Sequence, residues 1–161
     1  MLALPDGVSR ERFLLEYWQQ RPLLMRQALP PGSLPLEADE LAGLACEEAF
    51  ESRLIIEHGP QDWEVRHGPF SAADFATLPD AQWTLLVQDV DKYLPAVAHL
   101  LEAFDFVPTW RIDDIMVSYA SDRGGVGPHS DAYDVFLMQG PGRRRWRLSF
   151  HDYGDDDLIP G

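Results

Sequence analysis

The chain is poor in cysteine and in positive charge, and both shortages limit what it can be. It has one cysteine, Cys46, in 161 residues, which excludes a disulfide within the chain and a zinc site built from several cysteines. Lys and Arg number 13 against 27 Asp and Glu, so the formal net charge is −14. Nucleic-acid binding needs a basic surface, so no direct DNA partner is expected. A basic protein partner would suit this charge, and plain solubility is the alternative explanation.

Long apolar runs and a targeting signal are also missing. No stretch approaches the roughly 20 apolar residues of a membrane-spanning helix. The first seven residues lack the basic and apolar regions of a secretory signal peptide. We therefore expect no membrane association and a cytoplasmic location. Cys46 lies in an apolar helical context and is expected to be a small core residue.

The glycine-rich segment GGVGPHSD at 124–131 contains a candidate metal site. On an extended strand, side chains two residues apart point the same way, so His129 and Asp131 can converge on one point. An imidazole and a carboxylate are two of the three ligands in the 2-His-1-carboxylate sites that hold non-haem Fe(II). Taken alone, a His-x-Asp pair is more often an ordinary surface or core histidine beside an acid.

A candidate carboxylate-binding residue follows in the segment RRRWRLSF at 143–150, which predicts a strand after another predicted strand at 134–139. Alternation gives this strand a polar face with three arginines and an apolar face that includes Arg144. A buried guanidinium needs an anion, and its planar fork suits a carboxylate. Three environments remain open for Arg144. Its guanidinium could bind a carboxylate ligand, form an ion pair within the protein, or extend to the solvent at the end of its aliphatic chain.

The order of the predicted elements indicates an α+β fold. Helices with a few strands come first, and a strand-rich section begins near residue 110. Helices are predicted over 9–21, 39–50 and 91–104, with a short capped helix from Ser71. Strands are predicted over 23–26, 52–57, 63–68, 83–90 and 114–120.

Four segments together closely resemble the bacterial JmjC-type ribosomal oxygenases. They are EYWQQRPLL at 16–24, DDIMVSY at 113–119, GVGPHSDAYDVF at 125–136 and QGPGRRRWR at 139–147. The resemblance implies a cupin fold, in which an N-terminal helical and mixed segment precedes a double-stranded β-helix, or jelly roll. Residues 1–110 are then the N-terminal α+β cap. Residues 111–161 are the first half of the barrel, and we expect the chain to stop before the barrel closes.

The resemblance also implies an activity. These proteins are Fe(II)- and 2-oxoglutarate-dependent dioxygenases, and the subgroup this chain most resembles hydroxylates an arginine of the ribosomal protein L16. His129 and Asp131 match the first two iron ligands, and Arg144 matches the residue that pairs with the far carboxylate of 2-oxoglutarate. The third ligand is a later histidine. His151 comes too early, so we expect that ligand beyond residue 161 and little activity from these 161 residues alone.

Two other functions stay open at this point. One is a cupin metalloenzyme that does not use 2-oxoglutarate, which would have no need of Arg144. The other is a non-catalytic JmjC-like module that docks a basic protein partner. The sequence also leaves open a homodimer formed through regions beyond residue 161.

Overall fold

An antiparallel sheet of four strands, in the order β2-β1-β3-β4, forms the centre of the fold. The computed structural model describes residues 2–149. The strands are β1 (Ser52–Gly59), β2 (Asp62–His67), β3 (Trp83–Val87) and β4 (Val117–Ala120). These four confirm the strands predicted from alternation and β-branched content, with shifts of a few residues at their ends. The strand predicted at 23–26 is wrong, because that segment has no ladder partner among the described residues.

Short helices flank the sheet. They are α1 (Arg10–Glu16), α2 (Ala38–Leu44), α3 (Ala72–Ala76), α4 (Val90–Tyr93) and α5 (Pro95–Ala98), with 3-10 turns at His99–Phe104 and Thr109–Arg111. The Ser71 side chain accepts a hydrogen bond from the Asp74 amide, and the Asp74 carboxylate accepts one from the Ser71 amide, which confirms the predicted cap of α3.

Three predicted helices are shorter than expected. The helix predicted at 9–21 ends at Glu16. The helix predicted at 91–104 is divided at Pro95, which lacks an N–H and occupies the first position of α5. The helix predicted at 39–50 ends at Leu44. The chain then turns, and Cys46 is exposed. The prediction that Cys46 belongs to the core is therefore wrong.

One face of the sheet carries the hydrophobic core. Alternate residues Leu54, Leu85, Val87 and Val117 point to this face, and all four are buried. Side chains from the helices cover them, among them Leu41, Val90 and Val97. Since residues on a strand alternate, their neighbours Thr84, Leu86 and Ser118 point to the opposite face. The sheet therefore has one face packed against the helices and a second face on which Thr84 and Leu86 are also buried.

The segments after residue 121 differ from the prediction. No β-strand is present between 121 and 149, so the strands predicted at 134–139 and over the described part of 143–150 are wrong. A strand is defined by its ladder, and these apolar runs meet no partner strand among residues 2–149. The division at residue 110 stays a prediction. One sheet crosses that boundary, because β4 pairs with β3.

Membrane-spanning helices are absent from the described part of the chain. None of the helices among residues 2–149 combines the length and the apolar character that crossing a bilayer demands.

Leu54 tests the packed face, because its side chain is fully buried in the core. We expect Leu54→Ala to lower the free energy of unfolding by about 2–5 kcal/mol through lost burial and a residual cavity. Leu15→Ala, at an exposed position of α1, should change it by less than about 0.5 kcal/mol. Urea unfolding followed by tryptophan fluorescence measures both. Equal losses in the two variants would contradict this assignment of the core.

Candidate active site

The loop before the His-x-Asp pair is fastened to the beginning of β3. Ser121 donates its amide to the Trp83 carbonyl at 3.0 Å, and the Trp83 amide donates to the Ser121 hydroxyl at 3.0 Å. Gly124 lies so close to the Trp83 carbonyl that no side chain would fit there. From the sequence, this loop is expected to be flexible, with glycines that let the backbone approach a ligand closely. The glycine instead allows a close approach that fixes where the loop leaves the sheet.

Backbone contacts orient the ring of His129. Its Nδ1 lies 3.1 Å from the carbonyl oxygen of Gly127, which accepts a hydrogen bond from the ring N–H. Gly127 has φ +70°, a conformation that favours glycine. The proton is therefore held on Nδ1, which leaves the Nε2 lone pair available. A histidine that binds a metal ion usually has its other ring nitrogen held in this way.

Asp131 lies beside the available nitrogen. Its Oδ2 is 3.8 Å from Nε2 of His129, too far for a hydrogen bond. Two ligand atoms about 2.1 Å from one divalent ion and about 90–110° apart lie roughly 3.0–3.4 Å from each other, so the pair is within about 1 Å of that separation. The side chains are 39% and 42% exposed, so an ion can reach both. The donor set therefore fits two metal ligands.

A complete set of three ligands is not found within residues 2–149, where no group of three His, Cys, Asp or Glu side chains is arranged to hold a metal ion. His151 lies outside the described residues. The structure thus brings His129 and Asp131 together, and both their role as metal ligands and the position of a third ligand stay predictions.

Arg144 lies against the second face of the sheet. Its Nη1 donates to the Ser118 hydroxyl at 3.5 Å, and its guanidinium lies 5.7 Å from the centre of the Trp146 ring. Burial lowers the pKa of Arg144. Within residues 2–149, no carboxylate lies within 4.0 Å of this guanidinium, although the whole chain has 27 acidic residues. Arg144 is thus half-buried and has no anion in the part described.

The surroundings of Arg144 correct the predicted apolar face. Trp146 and Leu148 are exposed, so the even-numbered side chains of this segment do not form a buried face. Ser118 was missed by the sequence reasoning, although alternation along the predicted strand 114–120 could have indicated it. A further polar group lies on the same face of the sheet: the hydroxyl of Thr84 is fully buried and has no hydrogen-bond partner in the described structure.

Other residues lie elsewhere. The sequence also suggests that Tyr119 or Trp146 shapes the pocket near Arg144 and that His58 and His67 are exposed loop histidines. Tyr119 points to the opposite face from Ser118 and packs 5.5 Å from Trp83, so only Trp146 adjoins Arg144. His58 and His67 are exposed as expected, but they lie on strands rather than in loops. Hydrogen bonds from Arg66 and His58 lower the pKa of Glu64 to about 2, an effect of an exposed ion-pair network on the hairpin.

Comparison with known proteins tests the resemblance inferred from the sequence. Residues 99–158 match the JmjC domain family. A ribosomal protein uL16 3-hydroxylase of Escherichia coli is 46% identical over 136 residues, or 84% of this chain. A probable ribosomal oxygenase of Haemophilus influenzae is 43% identical over 146 residues, or 91% of this chain. The chain is similar to the bacterial JmjC ribosomal oxygenases.

Solved structures of an E. coli ribosomal oxygenase, YcfD, agree with this similarity. One, in complex with cobalt and succinic acid, matches 75% of this chain with a TM-score of 0.69 and 42% identity. A second, in complex with cobalt and 2-oxoglutarate, matches equally well. The JmjC-type cupin fold class is confirmed. The chain spans about a third of these relatives, 36% of each curated protein and 33% of the solved chains.

The tautomer of His129 is open to direct measurement. We expect the neutral ring to carry its proton on Nδ1, because the Gly127 carbonyl accepts from that nitrogen. Long-range ¹H–¹⁵N correlation at pH 8 distinguishes the two tautomers, and His99, whose Nδ1 contacts the Pro95 carbonyl at 2.6 Å, serves as an internal reference. A proton on Nε2 of His129 would contradict the orientation described.

Proposed function

We propose that this chain carries the metal and cosubstrate site of a 2-oxoglutarate- and Fe(II)-dependent hydroxylase that modifies a ribosomal protein, with an arginine of uL16 as the target. The observation that carries the proposal is Arg144, a half-buried guanidinium with no carboxylate partner among residues 2–149. In the same segment, His129 and Asp131 present a nitrogen and an oxygen suited to one divalent ion. A site that binds a metal ion together with a dicarboxylate would use both the His129–Asp131 pair and the guanidinium of Arg144.

His129 and Asp131 would hold Fe(II), and a histidine outside the described residues would complete the triad. When bound, Fe(II) and 2-oxoglutarate supply the oxidising chemistry: O₂ is consumed, 2-oxoglutarate yields succinate and CO₂, and a substrate C–H bond becomes C–OH. The Gly127 carbonyl keeps the proton on Nδ1 of His129, so Nε2 is ready to coordinate. The residues therefore bind and orient, and the bound groups carry the oxidation.

Arg144 would bind the far carboxylate of 2-oxoglutarate. A guanidinium can form two parallel hydrogen bonds to a carboxylate, and partial burial strengthens them because less water competes. The Ser118 hydroxyl adjoins the same nitrogen, and the Trp146 ring limits where the guanidinium can lie. An anion here would also offset the cost of keeping an unpaired guanidinium partly out of water.

The charge of the chain supports a basic substrate. Ribosomal proteins are rich in lysine and arginine, and a net charge of −14 favours their approach. One relative is named as a hydroxylase of the ribosomal protein uL16, and the other is named as a probable ribosomal oxygenase. A ribosomal substrate would place the protein in the cytoplasm.

A binding module without catalysis is the second candidate, because only two metal-ligand side chains come together within residues 2–149. A cupin enzyme that does not use 2-oxoglutarate is less well supported, since such chemistry gives Arg144 no role. The proposed hydroxylase and the binding module differ in one observable. A docking module binds uL16 without consuming 2-oxoglutarate.

The test measures succinate release and the gain of one oxygen atom by uL16, with Fe(II) and 2-oxoglutarate, in the longest form that the reading frame encodes. We expect Asp131→Ala to abolish both. Arg144→Ala should raise the KM for 2-oxoglutarate about 30-fold or more, because truncating one partner of a buried charge pair costs about 2–5 kcal/mol. Arg144→Lys should recover part of that loss.

Arg143→Ala is the matched control, because Arg143 is exposed and adjoins Arg144 in sequence. Its KM should equal that of the parent protein. Turnover that persists in Asp131→Ala would refute the metal assignment. Binding of uL16 with no succinate formed by the parent protein would establish the docking module instead.

A further inference from the structure

We propose that the N-terminal segment positions the metal loop, residues 125–136, through two residues of that loop, Asp134 and Phe136. The inference rests on the proposed function, because it takes His129 and Asp131 as the metal ligands. Asp134 and Phe136 touch neither ligand in the structure and are therefore positioning residues. Their contacts reach elements more than 100 residues earlier in the chain.

The metal loop needs such support, because no sheet ladder holds it. Within the described residues, 123–149 form no strand and no ladder pairing. Val135 and Leu137 are exposed, so the apolar run around Phe136 does not pack as a whole. What fixes this segment must come from individual side chains.

Asp134 provides the polar contact. Its Oδ1 accepts a hydrogen bond from the backbone amide of Gln19 at 3.1 Å. Gln19 lies in the turn after α1 with φ +57°, and its amide makes no backbone hydrogen bond among the described residues. A carboxylate that accepts from a backbone N–H makes a charge-assisted bond, which is stronger than a neutral one.

Phe136 provides the apolar contact. Its ring lies within 4.8–6.2 Å, centre to centre, of four other aromatic rings: Phe13, Trp18, Phe104 and Phe106. Such aromatic pairs contribute about 0.5–1.5 kcal/mol each beyond their buried area. We call these five residues the aromatic cluster. It joins α1, the turn at residue 18, the 3-10 turn at 99–104 and the metal loop.

The cluster is itself anchored. Phe13 is buried, and Arg10 of α1 forms an ion pair with Asp105 at 2.8 Å. The guanidinium of Arg111 lies 5.9 Å from the centre of the Trp18 ring. A platform held from several sides can therefore define the position of Phe136.

The positions of the two contacts determine their effect. Asp134 and Phe136 follow Asp131 by three and five residues, so they fix the direction in which the chain leaves the second ligand. Gly127 and the contacts of Ser121 fix its direction on the other side. Groups that orient metal ligands without touching the ion typically change metal affinity about 10–100-fold when removed.

Two measurements on the same variants, made in the longest form that the reading frame encodes so that the expected third ligand is present, test the proposal. Co(II) titration followed by visible absorption reports the metal affinity and the geometry of its ligands. Hydrogen exchange of the peptides spanning 125–135, without metal, reports how firmly the loop is held. The variants are Asp134→Ala and Phe136→Ala, with Asp134→Asn as the conservative replacement that keeps an acceptor oxygen.

Matched controls exist for both changes. Asp80→Ala removes an exposed carboxylate that makes no hydrogen bond or ion pair in the described structure, and Val135→Ala shortens the exposed neighbour of Phe136. We expect Asp134→Ala and Phe136→Ala to weaken Co(II) binding about tenfold or more. Exchange at 125–135 should also be faster, with exchange in β1 and β3 unchanged. Asp134→Asn should recover most of the affinity, and the controls should match the parent.

Exchange at 125–135 that is unchanged in both variants would overturn the proposal. Faster exchange throughout β1 and β3 would also overturn it, since the residues would then support the whole fold rather than the loop. A parent protein that does not bind Co(II), but whose loop exchanges faster in the variants, would refute the proposed function and leave the bracing role standing.

Discussion

The alternation of side chains along β3 and β4 is the constraint on which the rest of the structure depends. Leu85, Val87 and Val117 point to one face and form the core with the helices. Their neighbours point to the other face, where Ser118 meets Arg144. Because both faces belong to the same two strands, the packing that stabilises the fold also sets the position of the surface that Arg144 contacts. A shift of one residue in the β3–β4 register would exchange the two faces.

Local sequence signals predicted the sheet and the proximity of His129 and Asp131 well. Alternation and β-branched residues predicted all four strands of the sheet. The spacing of His129 and Asp131 predicted that their side chains approach each other. Contacts between distant segments were not predictable in this way. Nothing near Asp134 indicates that its carboxylate meets the amide of Gln19, and nothing near Phe136 separates it from the exposed Val135 and Leu137.

The predictions that failed share a physical cause. The segments at 134–139 and 143–149 have the composition of strands, but a strand also needs a neighbour, and residues 2–149 supply none. Arg144 behaves similarly. Its position in the sequence suggested a buried face, yet the guanidinium is half-buried beside an exposed Trp146. The local sequence pattern shows which secondary structure a segment is able to form. Contacts with distant parts of the chain decide whether that structure is present.

The central claim is that His129, Asp131 and Arg144 serve one site for a metal and a dicarboxylate. NMR with Mn(II) and 2-oxoglutarate tests it most directly. The account predicts that substoichiometric Mn(II) broadens the amide signals of 127–131 first, and that 2-oxoglutarate then shifts the Nε–H signal of Arg144. Broadening that begins at the acidic start of α2, with the Arg144 signal unmoved by 2-oxoglutarate, would contradict it.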